Sequence, residues 1–279
     1  FLSNIRENSG NSLEMPVEHL GASPWNLRAL SAGDLWDSMR KDTVDLSEVT
    51  DITQGIKSGN NEAFTVSDPD INEFSLETDD LIPLSRAKDI RRHSIQSDRY
   101  VIYADNQFDP DKYPNLISYL EEHRSDLEER TETKRGKYPW WRLQRPHERR
   151  LIEASNKILV PHYARHNRFA FTTDGIVGMT DTFLIVPNSG DSVRYLTSIL
   201  NSSLLNLYMT VFGKQKRAGY LSYAGNRLES IPIPDSNTKS NKIDQSQIEC
   251  YSNRLSEIRS STAGVQNSTA ELLSESSQI

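Results

Sequence analysis

Short apolar runs bounded by turn-forming residues predict the strands of this chain. Runs rich in β-branched and aromatic residues are typical of buried strands. The clearest is Tyr-Val-Ile-Tyr at 100–103, whereas Ile-Pro-Ile-Pro at 231–234 predicts a sharp break, because each proline fixes φ and removes an amide donor. The other predicted strands are residues 63–66, 157–161, 169–171 and 183–187.

Two longer stretches carry apolar residues at the spacing of an amphipathic helix. One begins at Pro114 and continues to about Arg130, and the other is predicted as a single helix over 193–212. Strands interrupted by helices, without a regular β–α–β alternation, indicate a mixed α+β fold. We therefore expect a mainly antiparallel β-sheet core with flanking helices and long loops, plus a peripheral C-terminal helix.

The strong strand and helix signals divide the chain into three parts. Residues 1–45 are predicted to be a connecting segment, because the chain begins at Phe1 rather than at a methionine. Residues 46–235 hold the core of one domain. Residues 236–279 are rich in Ser, Asn and Gln, which predicts a polar linker, a peripheral helix and a frayed tail.

The net charge of −7 at first argues against nucleic-acid binding, but the charge is unevenly distributed. Residues 1–85 hold 5 basic and 16 acidic residues, whereas residues 86–168 hold 18 and 13. Within 134–150 there are seven basic residues and one acid, Glu148. A chain this basic in one region can present a face to a polyanion, and a solvated charged helix is the alternative.

The cysteine content and the length of the apolar runs bear on the cellular location. The single cysteine, Cys250, excludes an internal disulfide and a cysteine-cluster zinc site. No run approaches the roughly 18 apolar residues of a membrane span, and we expect no signal peptide. A cytoplasmic location without membrane contact is the default expectation.

No catalytic motif occurs in the sequence. Asn-Pro-Pro-Tyr, a glycine-rich nucleotide turn, a P-loop and His-Glu-x-x-His are all absent. The nearest approach to a metal-dependent nuclease is Asp79 and Asp80 followed by Lys88, and the nearest metal pair is His162 and His166. The two aspartates are better explained as acidic residues of a solvated turn. The two histidines lie in a predicted strand and loop, where residues four apart do not share a face as they would on a helix. We expect no catalytic residue, metal or cofactor in this chain.

Three loop-like stretches combine residues suited to phosphates and base edges. Residues 54–61 contain glycines that allow close backbone approach, residues 86–92 are a basic turn, and residues 134–146 are basic and aromatic. Their structural alternatives are a glycine turn, an ion-paired surface turn and a charged helix. With basic residues of later loops added, the candidate DNA contacts are Gln54, Lys57, Ser58, Asn60, Asn61, Lys88, Arg91, Arg92, Trp140, Arg142, Arg145, Arg168, Lys216 and Arg217.

Trp140 and Trp141 lie side by side in the third stretch. Adjacent residues of a strand or bend point in different directions, so we expect one to pack in the core and the other to be free for stacking or wedging against DNA. For either one alone, core packing is the better interpretation. Arg142 and Arg145, three residues apart beside these aromatics, suit guanine or phosphate recognition.

Short segments follow one another in a characteristic order along the chain. They are Gln-Gly-Ile-Lys-Ser-Gly-Asn-Asn at 54–61, Arg-Ala-Lys-Asp-Ile at 86–90, Tyr-Val-Ile-Tyr at 100–103, Tyr-Pro-Asn-Leu at 113–116, Leu-Glu-Glu-Arg at 127–130, Trp-Trp-Arg-Leu-Gln-Arg-Pro at 140–146, Lys-Ile-Leu-Val-Pro at 157–161, Asn-Arg-Phe-Ala at 167–170, Ile-Leu-Asn-Ser at 199–202 and Ile-Pro-Ile-Pro at 231–234. In this order they resemble a known family, the C-terminal specificity domain of TaqI-type adenine-N6 DNA methyltransferases and of fused restriction–modification enzymes. Ala87 departs from the family pattern, which often has glycine there.

The resemblance implies a specific role for each part of the chain. Residues 46–235 would be the DNA target-recognition domain, and 1–45 would connect it to an N-terminal methyltransferase domain of the same protein. That domain would bind S-adenosylmethionine and methylate a flipped adenine in double-stranded DNA. Two alternatives stay open: a cryptic metal-dependent nuclease, and a protein-interaction module of a phage-defence complex that docks through the acidic residues 1–85.

Overall fold

The computed structural model describes residues 40–188 and 192–235. The predicted C-terminal helix and most of the connecting segment lie outside these residues. In chain order, the strands are β1 (Thr43–Asp45), β2 (Thr50–Gln54), β3 (Thr65–Val66), β4 (Leu81–Ser85), β5 (Ile90–Arg91), β6 (Ser94–Ile95), β7 (Arg99–Ile102), β8 (Lys157–Pro161), β9 (Tyr163–Ala164), β10 (Ala170–Thr172), β11 (Val177–Gly178), β12 (Thr182–Pro187), β13 (Lys214–Gln215), β14 (Leu221–Ser222) and β15 (Pro232–Pro234).

The helices are short and lie between the strands. Two 3-10 turns, Ala87–Asp89 and Arg217–Gly219, carry predicted contact residues. The α-helices are α1 (Leu46–Val49), α2 (Asp68–Glu73), α3 (Pro114–Glu121), α4 (Arg124–Glu129), α5 (Thr131–Lys134), α6 (Arg149–Glu153), α7 (Val193–Leu200), α8 (Ser203–Phe212) and α9 (Gly225–Glu229).

A four-stranded antiparallel sheet of order β10-β8-β12-β2 lies at the centre of the fold. Its two middle strands are buried along almost their whole length, because both faces are covered. Alternate side chains of a strand point to opposite faces. Ile158 and Ile185 therefore enter the core formed with α7 and α8, whereas Leu159 and Leu184 enter the core formed with the second sheet.

The second sheet has the order β11-β4-β7-β3, in which only the β11–β4 pairing is parallel. Smaller antiparallel pairings join β13, β14 and β9, β5 and β6, and β1 and β15. The predicted α+β class with a mainly antiparallel core is confirmed.

Three local predictions were wrong. The helix predicted from Pro114 to about Arg130 is divided into α3 and α4, because the chain turns at Glu122 and His123. The single helix over 193–212 is divided at Asn201, whose side chain accepts from the amide of Phe169 (3.0 Å) and donates to its carbonyl (2.8 Å), while Ser202 caps α8. The segment 231–234 does not simply break structure, because it forms β15 against β1. Proline is tolerated there because a two-stranded pairing leaves one edge of the strand free.

Candidate nucleic-acid interface

The predicted contact segments meet at one end of the central sheet. The last residue of β2, Gln54, pairs with Phe183 near the start of β12, and the last residue of β8, Pro161, pairs with Thr182 at that start. The first residue of β10, Ala170, pairs with Leu159 in the middle of β8, so the loop 162–169 extends from the same end. We call this the basic sheet end, and it is formed by residues 54–61, 162–169 and 178–181.

The other predicted segments are tied to the basic sheet end through backbone hydrogen bonds. Lys57 and Arg145 exchange amide–carbonyl bonds of 3.0 and 2.8 Å. The amide of Ala87 donates to Asp181 (3.2 Å), which brings in the basic turn 86–92. The hairpin of β13 and β14 pairs with β9. Segments far apart in sequence therefore form one surface.

Gly55 is required where these segments cross. A Cβ at this position would lie 2.1 Å from the carbonyl oxygen of Met179 and 2.4 Å from that of Gly178. The amide of Ile56 also donates to Gly178 (2.9 Å). Only a residue without a side chain allows this close approach, so the glycines of 54–61 have a packing role.

A cleft of about 470 Å³ opens beside Arg145. We call it the polar cleft, because amide, guanidinium and imidazole groups line it. Amides can both donate to and accept from a base edge, and guanidinium groups match the acceptors of guanine. Its lining residues are Asp105, Asn106, Gln107, Arg142, Gln144, Arg145, Pro146, His147 and Arg149.

Arg142 and Arg145 differ in how they are held in the polar cleft. The guanidinium of Arg142 donates to Asn106 and to the carbonyl of Leu143, and it lies 5.1 Å from the ring centre of Tyr138. Arg145 is exposed and fixed only through its backbone. One guanidinium is therefore preorganised, and the other is free to turn towards a ligand.

The charged side chains in the wall of the polar cleft are held in place by pairing with groups of opposite charge. Arg149 donates to both carboxylate oxygens of Asp105 (3.0 and 3.1 Å) and pairs with Glu153 (2.7 Å). The bond to Asp105 raises the pKa of Arg149. Burial alone would raise the pKa of Asp105, but the bonds from Arg149 and the Gln107 amide outweigh it and hold that pKa below its usual value. Burial lowers the pKa of His147, so this imidazole favours the neutral form.

A second cleft of about 420 Å³ is lined by four arginines. Its arginines come from the turn before β6 and the loop between β8 and β10. We call it the arginine cleft, and it is lined by Arg91, Arg92, Arg165, His166, Asn167, Arg168 and Tyr220.

The three remaining predicted cations are exposed and lie near the arginine cleft. The carbonyl of Lys88 accepts from Arg91. Lys216 lies 5.6 Å from the ring centre of Tyr163, and Arg217 begins the 3-10 turn of the neighbouring hairpin. Their positions extend the positive surface beyond the cleft.

Several predicted contacts have structural roles instead of open side chains. Ser58 is only 1% exposed, and its hydroxyl donates to Asn61 (2.7 Å). The side-chain oxygen Oδ1 of Asn60 caps the turn by accepting from the backbone amides of Glu62 and Ala63. Gln54 donates to the carbonyl of Thr180 (2.7 Å). The glycine-turn interpretation of 54–61 therefore explains these side chains, and Lys57 is the one that stays available.

The two tryptophans do not divide into one core and one free residue. Both are half-buried and pack against the core that lies beneath the second sheet. Trp141 contacts Phe108 with ring centres 5.4 Å apart, and Trp140 lies under the guanidinium of Arg124 at 4.9 Å. These contacts support the interpretation of both residues as packing groups.

Eleven of the sixteen residues that line the two clefts are not among the candidate contacts, and they include Asn106, Gln107, Gln144, Arg165 and Tyr220. Two of them had a usable signal. Gln144 lies between two candidate arginines, and Arg165 belongs to the same basic loop as Arg168. Asn106 and Gln107 follow β7 and reach the cleft only through tertiary folding.

The structure gives no support to a nuclease centre. Asp80 precedes β4 and pairs with Arg149 at 3.6 Å, whereas Lys88 follows the strand. A five-residue strand separates them by about 17 Å. Within 40–188 and 192–235, no cluster of three or more histidines, cysteines and acids is placed to hold a metal ion. In that same part of the chain, no helix is long and apolar enough to cross a membrane.

An antiparallel sheet with two cation-lined clefts at one end has the properties of a DNA-recognition domain. Residues 82–233 match the family described as the TaqI-like C-terminal specificity domain. The match covers more than half of the chain, so the chain belongs to this family. The resemblance found in the ordered sequence segments is confirmed.

Curated relatives of the chain are type II methyltransferases. M.MjaIV of Methanocaldococcus jannaschii is 29% identical over 199 residues, which cover 68% of this chain and 66% of the relative. M.XhoI of Xanthomonas vasicola is 23% identical over 223 residues, which cover 77% and 39%. The chain thus spans between 39% and 66% of the length of these two relatives.

Two solved restriction–modification enzymes contain a similar fold. The type IIL enzyme MmeI, solved in complex with DNA, matches 73% of this chain and 27% of its own, with a TM-score of 0.52 and 13% identity. The type IIG restriction endonuclease BpuSI matches 81% and 28%, with a TM-score of 0.55 and 13% identity. At this identity the likeness concerns the fold.

Proposed function

We propose that this chain reads a short sequence in double-stranded DNA through the basic sheet end. The observation that carries the proposal is the convergence of remote basic segments on one end of the sheet. In the polar cleft, Arg142, Gln144 and Arg145 offer donors and acceptors suited to base edges. Cations around the clefts supply the attraction to phosphates.

The whole protein is proposed to be an adenine-N6 DNA methyltransferase. Its chemistry would lie in an N-terminal domain of the same protein that binds S-adenosylmethionine. This chain has neither the glycine-rich turn nor the Asn-Pro-Pro-Tyr loop that such chemistry needs, so its own part is to bind and orient DNA. The curated relatives, which are type II methyltransferases, support this proposal.

Selection of bound duplexes from a randomised pool tests sequence reading directly. The chain should enrich one short sequence. Arg145→Gln should reduce the preference at one base pair, because a bidentate guanidinium contact contributes about 1–3 kcal/mol of discrimination. Since the Arg145 side chain is exposed, this variant should keep the stability of the parent chain.

Lys41→Gln is the matched control, because Lys41 is an exposed cation that precedes β1, away from the basic sheet end. It should enrich the same sequence as the parent chain. Enrichment of no sequence by the parent chain would contradict the proposed function. An unchanged preference in Arg145→Gln would remove this residue from base reading.

A further inference from the structure

The arginine cleft holds positive charge that no carboxylate balances. Among described residues, none of Arg91, Arg92, Arg165 and Arg168 has a salt bridge to an acid. Six of the other thirteen described arginines are paired with an acid, and these are Arg40, Arg86, Arg99, Arg124, Arg149 and Arg150. The cleft is therefore a local excess of cations within an acidic chain.

The framework of this cleft is fixed before any ligand binds. Asn167 is buried, and its side chain donates to the carbonyl of Leu200 (2.6 Å) and accepts from the hydroxyl of Tyr223 (2.9 Å). The Asn167 carbonyl in turn accepts from Nε of Arg92 (3.4 Å). The loop that carries Arg165 and Arg168 is thus anchored to α7 and β14.

Two of the cations remain accessible above this framework. Arg91 is exposed, and one of its guanidinium nitrogens donates to the carbonyl of Lys88. Arg165 is exposed and lies 5.2 Å from the ring centre of Tyr220, itself 38% exposed. Their remaining N–H groups are free to donate to an anion.

Like charges lie close together in the arginine cleft. Burial, and then the nearby charge of Arg91, lowers the pKa of Arg168. An anion seated among these groups would offset that repulsion. The cleft lining offers mainly donors, whereas the polar cleft also offers amide acceptors and so has the mixed pattern of a base-reading surface.

We infer that the arginine cleft is a seat for backbone phosphates of duplex DNA, which fixes the position of the duplex while the polar cleft reads bases. This inference rests on the proposed function. Phosphate contacts position a duplex without carrying sequence information. The arginine cleft would therefore contribute mainly to binding affinity, and the polar cleft would contribute the sequence specificity. Loop 178–181 is hydrogen-bonded to Ile56, next to the Lys57–Arg145 pair, and to Ala87, in the turn that carries Arg91. The two clefts are thus parts of one connected surface, which favours one continuous duplex over a free phosphate as the occupant.

The test compares Arg91→Gln/Arg165→Gln with the parent chain on a short duplex of mixed sequence, using fluorescence anisotropy over a range of salt. Each lost phosphate contact should flatten the log–log salt slope by about 0.9 and weaken binding about 8-fold near 0.1 M salt. The double variant should therefore bind about 60-fold more weakly, with a slope flatter by about 1.8. The sequence enriched from a randomised pool should stay the same.

Two control variants test whether the effect depends on where the cations lie and on their charge. Lys41→Gln/Arg227→Gln removes two cations near β1 and α9 and should leave the slope close to that of the parent chain. Arg91→Lys/Arg165→Lys keeps the charge and should retain most of the slope. Circular dichroism should show the same fold in all variants, because the replaced side chains in the cleft are exposed.

The outcomes distinguish this inference from the proposed function. If the parent chain binds and enriches a sequence but Arg91→Gln/Arg165→Gln keeps its slope, the phosphate seat is wrong and sequence reading stands. If the parent chain does not bind duplex DNA, both are wrong. A saturable thermal shift with inorganic phosphate that is lost in the double variant, together with an unchanged salt slope on the duplex, would identify a free-anion site and overturn the assignment to duplex phosphates.

Discussion

Lys157 places an ammonium group inside the central sheet, and its replacement by methionine gives a sharp stability prediction. The side chain is 0% exposed, and Nζ donates to the carbonyl of Ile152. Burial lowers the pKa of Lys157 to about 8 from 10.5, and the charge of Glu153 opposes this shift. This decrease in pKa means that folding disfavours the charged form of Lys157 by about 3 kcal/mol.

The sign of the pH dependence follows from the depressed pKa. The contribution of Lys157 to stability is present above the unfolded pKa of 10.5 and is lost as the pH falls through about 8. At pH 7, Lys157→Met removes the penalty of about 3 kcal/mol but leaves the Ile152 carbonyl unpaired, which costs roughly 1–3 kcal/mol. We therefore expect the variant to be as stable as the parent chain or more stable, by up to about 2 kcal/mol.

Urea unfolding of both proteins at about pH 7 and about pH 10 measures this difference. The parent chain should gain about 2–3 kcal/mol relative to Lys157→Met between the two pH values. Lys41→Met, at an exposed position, should show no such change. A difference between parent chain and Lys157→Met that is the same at both pH values would refute the argument from burial.

Two further changes test the surroundings of the polar cleft. Gly55→Ala should destabilise the domain by at least about 2 kcal/mol in urea unfolding, because the new Cβ would overlap carbonyl oxygens that cannot move separately; a loss below roughly 0.5 kcal/mol would contradict the close approach. Because the folded pKa of Asp105 is depressed, its contribution to stability is lost as the pH falls below its unfolded value of 3.8. Asp105→Asn should accordingly flatten the acid limb of the stability curve, and an unchanged limb would mean that another carboxylate dominates it.

The central strands were predicted well from the sequence, because strands buried on both faces are continuous runs of β-branched and other apolar residues. Residues 157–161 and 183–187 became β8 and most of β12 almost residue for residue. The segment 231–234 was predicted wrongly, because the conformational preference of proline does not show that β1 pairs with one edge of this segment. The division of 193–212 likewise depends on Asn201 binding Phe169, a contact more than 30 residues away along the chain.

The candidate site was predicted in part. Basic side chains such as Arg142 and Arg168 were found because charge is visible in the sequence. The burial of Ser58 and the packing of both tryptophans, rather than one, could not be foreseen, since they depend on how loop 54–61, residues 140–141 and helix α4 meet. Arg130 makes that junction, because it donates to the backbone carbonyls of both Ser58 and Trp140.

The central claim is that duplex DNA lies across the basic sheet end, and amide hydrogen exchange with and without a bound duplex tests it most directly. Protection should increase in the loops 55–61, 86–92, 162–169 and 214–220, and the opposite end, at β1, α9 and β15, should exchange unchanged. Protection concentrated at β1, α9 and β15, or no change anywhere with a duplex that the chain binds, would contradict the account.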